Sequence, residues 1–245
     1  MTKAAIIQAR CGSNRLPGKV LKSIGGFTVL EHVIRRCENI DGIDVVCCAI
    51  PDNTVDDIVA DLAQSLGVIV YRGSEQDVLN RYAEAAKMLS ADIIMRVTSD
   101  CPLIDSKICE RVLQFFDVTA CDYASNNLPP SFPHGLDCEA FTIDSLLEAD
   151  KIATDSYDRE HVTPWIRKSN SIRKKNLLEQ KSNYMHLRWT LDFKEDLEFF
   201  QELEQYLSLL PDIPDYEKIL SVMHKHPELI EINSHCIDKT RLNIN

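Results

Sequence analysis

With 245 residues, 44% of them hydrophobic and 27% charged, the chain has the composition of a globular domain able to bury a substantial core. Its formal charge of −11 argues against a protein that coats nucleic acid, and no apolar run is long enough to cross a bilayer. Nine cysteines with no C-x-x-C pair read as reduced thiols, and the start lacks a signal-like leader, so a cytoplasmic location is the expectation.

In chain order, the apolar run from Ala4 to Ala9 predicts a buried parallel strand. It leads into Ala9-Arg10-Cys11-Gly12-Ser13-Asn14-Arg15-Leu16-Pro17-Gly18-Lys19, where glycines and cations are interleaved. Backbone N–H groups in such a turn can form a concave anion site. Arg10, Arg15 and Lys19 add three cations within ten residues, two of them able to grip phosphate oxygens in a fork. The stretch therefore reads as a polyphosphate loop, with Ala9, Gly12 and Ser13 as candidate nucleotide contacts. It is neither G-x-x-x-x-G-K-[ST] nor G-x-G-x-x-G.

Helices and strands then alternate. Thr28 to Ile40 predicts a helix and Asp44 to Ile50 a second buried strand. Asn53 is a good N-cap for a helix whose stripe would be Val55, Ile58, Val59, Leu62 and Leu66, stopped by Gly67. Val68 to Tyr71 predicts a third strand, Gln76 to Leu89 a helix, Ala91 to Thr98 a fourth strand and Asp105 to Phe116 another helix. This rhythm implies an α/β fold, a mostly parallel sheet between helical layers, with ligands at the carboxyl ends of the strands. Beyond it, Asn126 to Gly135 is a loop rich in proline, Leu136 to Thr142 a strand and Ile143 to Ile152 a helix. Tyr157 to Lys168 is read as helical with an apolar face of Val162, Trp165 and Ile166. Leu187 to Leu191 is expected as a short strand and Lys194 to Leu207 as an acidic amphipathic helix. The single domain would span 1–245, with 116–182 as an inserted lid or dimer contact and a poorly ordered tail beyond His235.

Two aspartates stand out. Asp100 follows the fourth strand and is presented by the turn that Pro102 forces, and Asp192 ends Arg188-Trp189-Thr190-Leu191-Asp192. Either alone could be a helix N-cap. As a pair beside a cationic loop they favour a metal site for nucleotidyl transfer, in which Mg²⁺ bridges phosphate oxygens. Cys11 and Cys101 lie next to these elements, which raises the expectation of oxidant sensitivity. Arg167-Lys168 and Arg173-Lys174-Lys175 form a basic cluster that most simply is a solvated face, with a dimer contact or an anionic substrate as the alternatives.

Taken together, these blocks resemble the cytidylyltransferases, and within them the spore-coat polysaccharide biosynthesis (SpsF-like) group. The matching stretches are ARxGSxRLPGK at 9–19, RGSExDVLxRY at 72–82, TxDCPLID at 98–105, GLDxExF at 135–141, YDREHVTPWI at 157–166 and HLRWTLD at 186–192. The resemblance implies a three-layer α/β/α core of the nucleotide-diphospho-sugar transferase type. It implies a homodimer that joins CMP from CTP to a small-molecule acceptor. Lys19, Arg10 and Arg15 would hold the triphosphate, and Asp100 and Asp192 the Mg²⁺. Asp52, Arg72, Asp77 and Arg81 fall where base and ribose contacts would lie. His134, Asp137, Glu139, Arg159, Glu160, His161 and Arg188 are candidates for the acceptor pocket. Ser99 stands where a glycine is expected. A glycosyltransferase would be expected to carry a D-x-D-like motif, which Asp100 lacks, and a silent binder would not need the metal pair.

Overall fold

The computed structural model describes residues 1–208, 213–236 and Arg241. β1 (Lys3–Gln8) is followed by a loop, a 3₁₀ turn at Lys19–Leu21 and a small hairpin of β2 (Ser23–Ile24) and β3 (Phe27–Thr28). Then come α1 (Val29–Glu38), β4 (Val45–Pro51), α2 (Asp57–Ser65), β5 (Ile69–Gly73), α3 (Val78–Met88), β6 (Ile93–Thr98) and α4 (Ser106–Thr119). β7 (Tyr123–Ser125), β8 (Glu139–Thr142), α5 (Ile143–Ile152), α6 (Ser156–His161), α7 (Pro164–Lys168) and β9 (Lys174–Asn176) follow. α8 (Lys194–Leu207), α9 (Tyr216–Lys225) and α10 (Glu228–Asn233) complete the described elements.

β1 is buried on both faces, with Ala5 and Ile7 in one helical layer and Ala4 and Ile6 in the other. A strand that is apolar on both sides belongs at the centre of a covered parallel sheet. It pairs in parallel with β4 on one side and β6 on the other, in a seven-stranded order β5-β4-β1-β6-β8-β7-β9. β5, β4, β1 and β6 run the same way, so residues 9–19, Asp52, Ser74 and Asp100 all leave the sheet at one rim. β8 enters antiparallel beside β6, and β7 and β9 beyond it run in the direction of β6 again, so β8 is the one reversed strand of this sheet among the described residues. β7, β8 and β9 lie within 116–182 and extend the same sheet. Among the described residues no helix is long and apolar enough to cross a membrane.

The helix starts follow the sequence closely because side-chain caps fix them: Thr28, Asp77 and Asp105 accept from the backbone N–H of Glu31, Asn80 and Ile108. Three segments depart from expectation. Asn53 caps a 3₁₀ turn at Thr54–Asp56, not the helix itself. That turn shifts the phase of α2, so Val55 and Ile58 are 68% and 57% exposed while Val59, Ala60 and Ala63 face the core. Tyr157 to Lys168 is not one helix. Val162, at φ 71° and ψ −57°, breaks it, and Pro164 opens α7. Leu187 to Leu191 forms no strand, only a bridge at Arg188 to His134. Close approach holds it there: a Cβ on Gly135, at φ 112°, would fall 2.2 Å from the Trp189 carbonyl oxygen. The expected tail lies largely outside the described residues, although Arg241 pairs with Asp137 and donates to the Phe132 and Met185 carbonyls.

The turn from parallel to antiparallel pairing sets Arg96 of β6 directly opposite Glu139 of β8. Glu139 is 1% exposed and receives Arg96 at 2.7 Å, Thr163 at 3.0 Å, and both Arg167 and the Tyr123 hydroxyl. Burial alone would raise its pKa, but Arg167 and Arg96 overcome that and hold the carboxyl at about 2, against an ordinary value of 4.5. A depressed folded-state value adds stability above pH 4.5 that is lost as pH falls toward 2, on the order of 3 kcal/mol in all. In urea titrations Glu139→Gln is expected to be much less stable than the parent at neutral pH, because two buried guanidinium groups lose their partner. The gap should narrow steadily between pH 4.5 and 2; a gap that does not change with pH would contradict this assignment.

Candidate active site

The loop after β1 is shaped by its own backbone. Gly18 sits at φ 65° and donates to the Cys11 carbonyl at 3.1 Å, Lys19 donates to Leu16, and the Ser13 hydroxyl accepts from Leu16. The Asp56 carboxylate takes the Cys11 N–H, so the turn after β4 braces the loop after β1. The effect is to send the Lys19 side chain back across the strand ends. Its ammonium lies 2.8 Å from Asp100 and 3.2 Å from Asp192, and Arg15 pairs with the other oxygen of Asp192. Arg15 also covers the Phe193 ring, 5.2 Å from its centroid. Residues widely separated in sequence thus meet at one point on the rim.

Each carboxylate is held by a different device. The Asp100 carbonyl accepts from Leu191 N at 2.7 Å and from the Thr190 hydroxyl, which ties segment 189–192 to the end of β6. Asp192 is not an N-cap. Asp196, wholly buried one turn into α8, takes the Asp192 and Phe193 N–H groups and leaves the Asp192 carboxylate facing the cleft. Arg188 grips Asp196 in a two-bond fork at 2.7 and 2.8 Å, and Asn233 of α10 adds a third contact. The sequence reading passed over Asp196. Its signal was an acid three residues after Phe193, where an N3 side chain can reach back.

The charges are strongly coupled. Burial would lower the Lys19 amine, yet Asp100 and then Asp192 outweigh it and raise its pKa. Burial would raise Asp100, yet the Lys19 ion pair and hydrogen bond hold it well below the usual carboxylate range. Among the described residues no group of three or more His, Cys, Asp or Glu could hold a metal. Two convergent carboxylates nevertheless fit Mg²⁺, which takes one or two protein carboxylates and fills its other positions with phosphate and water.

The remaining sequence candidates divide into those near the cleft and those tied to the protein. Arg10 is half-exposed and 3.9 Å from Glu160, so the first loop faces α6. His134 lies against Arg188 at 3.4 Å, and His161, at the exposed end of α6, lies against the Tyr157 ring. Asp52 is exposed, its N–H bonded to the Gly73 carbonyl. Arg72 donates to the Pro51 and Asn53 carbonyls and pairs with Asp57, which clamps the β4 turn. Arg81 does not meet Glu84. It is buried, donates to the Ser74 carbonyl and carries an Nε without a partner. Asp77 caps α3 and pairs with Arg159, which also holds Asp150, so both join helices of one layer. Ala9 is buried and continues the ladder to Ala49, Gly12 lies near Glu75 and Arg10, and Ser99 is buried with its N–H on Gln8. Cys11 and Cys101 both have raised pKa values, first from burial and then from Asp56 and Asp100 respectively. Burial and the neighbouring carboxylate thus disfavour the thiolate at both.

Comparison with known proteins agrees with this arrangement. Residues 4–213 match the family model described as Cytidylyltransferase. The chain is 35% identical over 237 residues to an uncharacterized protein of Methanocaldococcus jannaschii, covering 96% of each. It is 30% identical over 230 residues to the spore coat polysaccharide biosynthesis protein SpsF of Bacillus subtilis, covering 91% of this chain and 94% of that one. A solved cytidylyltransferase structure from Leptospira borgpetersenii superimposes with a TM-score of 0.88 at 32% identity, over 94% of this chain and 97% of that one. With a basic strand-end loop feeding two facing carboxylates, and with likeness running nearly end to end, the chain belongs to the cytidylyltransferase family and is a nucleotidyltransferase that uses CTP.

Proposed function

We propose that the protein transfers CMP from CTP to an anionic small-molecule acceptor, with Mg²⁺ as cofactor and pyrophosphate as the second product. The observation that carries this reading is the convergence of Lys19, Arg15, Asp100 and Asp192 on one point of the rim. These two cations and two anions cancel. A triphosphate arriving there brings several negative charges that Lys19 and Arg15 cannot neutralise while they pair with the aspartates. Asp100 and Asp192 would hold the divalent cation, which when bound would supply the missing charge and polarise the phosphate oxygens. Lys19, displaced from the carboxylates, then reaches the phosphates, and Arg15 and Arg10 grip them from the same loop. An acceptor oxygen attacks the α-phosphorus as the bond to pyrophosphate breaks. Positioning and charge neutralisation supply most of the rate. An acceptor that is already ionised would need little general-base help at this point. The likeness to a spore coat polysaccharide protein makes a surface polysaccharide or glycoconjugate the natural destination of the activated product.

Pyrophosphate release with Mg²⁺ should occur with CTP but not ATP, GTP or UTP, require one acceptor from a panel of acidic sugars, sugar phosphates and phosphonates, and stop on chelation. Absence of CTP binding would sink the reading. Asp100→Asn and Asp192→Asn should each lower kcat by about 10²–10³-fold, the order seen when one transition-state contact is removed. Lys19→Met should lower kcat/KM for CTP by about as much. Normal turnover in all three variants would show that the cluster is not the reacting centre.

A further inference from the structure

Every oxygen of the Asp100 and Asp192 carboxylates already has a partner within the chain. Lys19 Nζ lies 2.8 Å from Asp100 Oδ2 and 3.2 Å from Asp192 Oδ1, Arg15 Nη2 pairs with Asp192 Oδ2, and the Cys101 thiol donates to Asp100 Oδ1 at 3.6 Å. Lys19 is the inner cation, its side chain 14% exposed, whereas the Arg15 side chain is 61% exposed and lies over the Phe193 ring. The ammonium thus bridges the two carboxylates, which is the place their chemistry gives to a divalent cation.

The backbone that carries these two cations is held in place. Gly18 N–H closes the loop onto the Cys11 carbonyl at 3.1 Å, Asp56 takes the Cys11 N–H, and the 3₁₀ turn that begins at Lys19 plants Val20, 1% exposed, in the core. Rotation of the side chain is then the route by which either cation leaves the aspartates, and the flexible stem of a lysine permits it. The departure is costly by itself. An ammonium pushed off both carboxylates stays partly buried without a counter-charge, and Mg²⁺ gives up its waters reluctantly. A triphosphate removes the first of these costs, because its oxygens accept both side chains.

From these contacts we infer that Lys19 and Arg15 keep the Asp100–Asp192 pair closed to a divalent cation until a triphosphate takes both side chains over, so that entry of the metal waits on the nucleotide. The inference rests on the CMP-transfer reading for the identity of the triphosphate, and goes beyond it by giving the two cations a role before any nucleotide arrives. The aspartates then alternate between two sets of partners, the cations of their own chain and a metal. Linkage makes the effect mutual: whatever factor the nucleotide adds to metal affinity, the metal adds to nucleotide affinity. Arg10 stands outside this device. It belongs to the same loop and carries the same charge, but its ion pair is with Glu160 and with neither aspartate.

The test counts Mn²⁺, as a probe for Mg²⁺, bound to the full chain without nucleotide, from the loss of the free ion's electron paramagnetic resonance signal. The parent is expected to bind Mn²⁺ weakly. Lys19→Met should bind it about tenfold or more tighter, within the usual range of coupling between two occupants. Adding Asp192→Asn to Lys19→Met should abolish that gain. Arg15→Met should gain less, since it frees a single oxygen. Arg10→Met removes the same charge from the same loop and should gain little, which separates occupation of the aspartates from a general change of field. Parent affinity equal to that of Lys19→Met, or an equal gain in Arg10→Met, overturns the proposal. If Lys19→Met fails to fold, the difference between Arg15→Met and Arg10→Met carries the test. Failure of CTP to bind would overturn the transferase reading alone, since the titrations without nucleotide still decide whether the loop cations hold the metal off.

Discussion

Two carboxylates stay ionised side by side in a partly buried cleft only if a cation stands between them, and here the Lys19 ammonium does so. Much of the surrounding structure serves that contact. β1 is buried on both faces, so the loop that carries Lys19 starts from a strand enclosed at the centre of the sheet. Asp100 leaves the neighbouring parallel strand at the same rim, and its carbonyl fastens the segment that brings Asp192 from far along the chain. The Arg188–Asp196 fork in turn frees Asp192 from capping duty by taking over the start of α8. The triad is therefore the meeting point of three separately supported elements.

Two cationic groups flank the first loop, and they differ in kind. Lys19 and Arg15 are fully balanced by aspartates, so that group is open to a ligand that brings its own divalent cation. Arg96 and Arg167 share one buried carboxylate and keep an excess of positive charge. Arg10 of the same loop is paired only loosely, with Glu160 at 3.9 Å. Loose pairing of an exposed guanidinium costs little to break.

Local chemistry explains what the sequence made legible. The apolar runs of β1, β4 and β6 and the caps Thr28, Asp77 and Asp105 act within a few residues, so the parallel half of the sheet and its ligand rim could be read directly. The cationic loop and the two aspartates were visible as residue types, although their meeting at Lys19 depends on tertiary hydrogen bonds. Segment 187–191 looks like a strand because it is apolar, but it finds only one bridging partner. The break at Val162 is carried by a residue that normally avoids such a conformation, so no local rule announces it. In the sequence Glu139 is a candidate for the acceptor pocket. Only the antiparallel register with Arg96 reveals it as the hub of a buried ion network.

The basic run near residue 174 has a plainer role than substrate binding. Among the described residues β9 is the outermost strand of the sheet, beside β7. It is only three residues long and reads Lys-Lys-Asn, with both lysines exposed. A short, doubly charged border of this kind repels the same border on a neighbouring molecule and gives an incoming strand little to pair with. An acidic protein thus places some of its few lysines where they guard against edge-to-edge aggregation in a crowded solution.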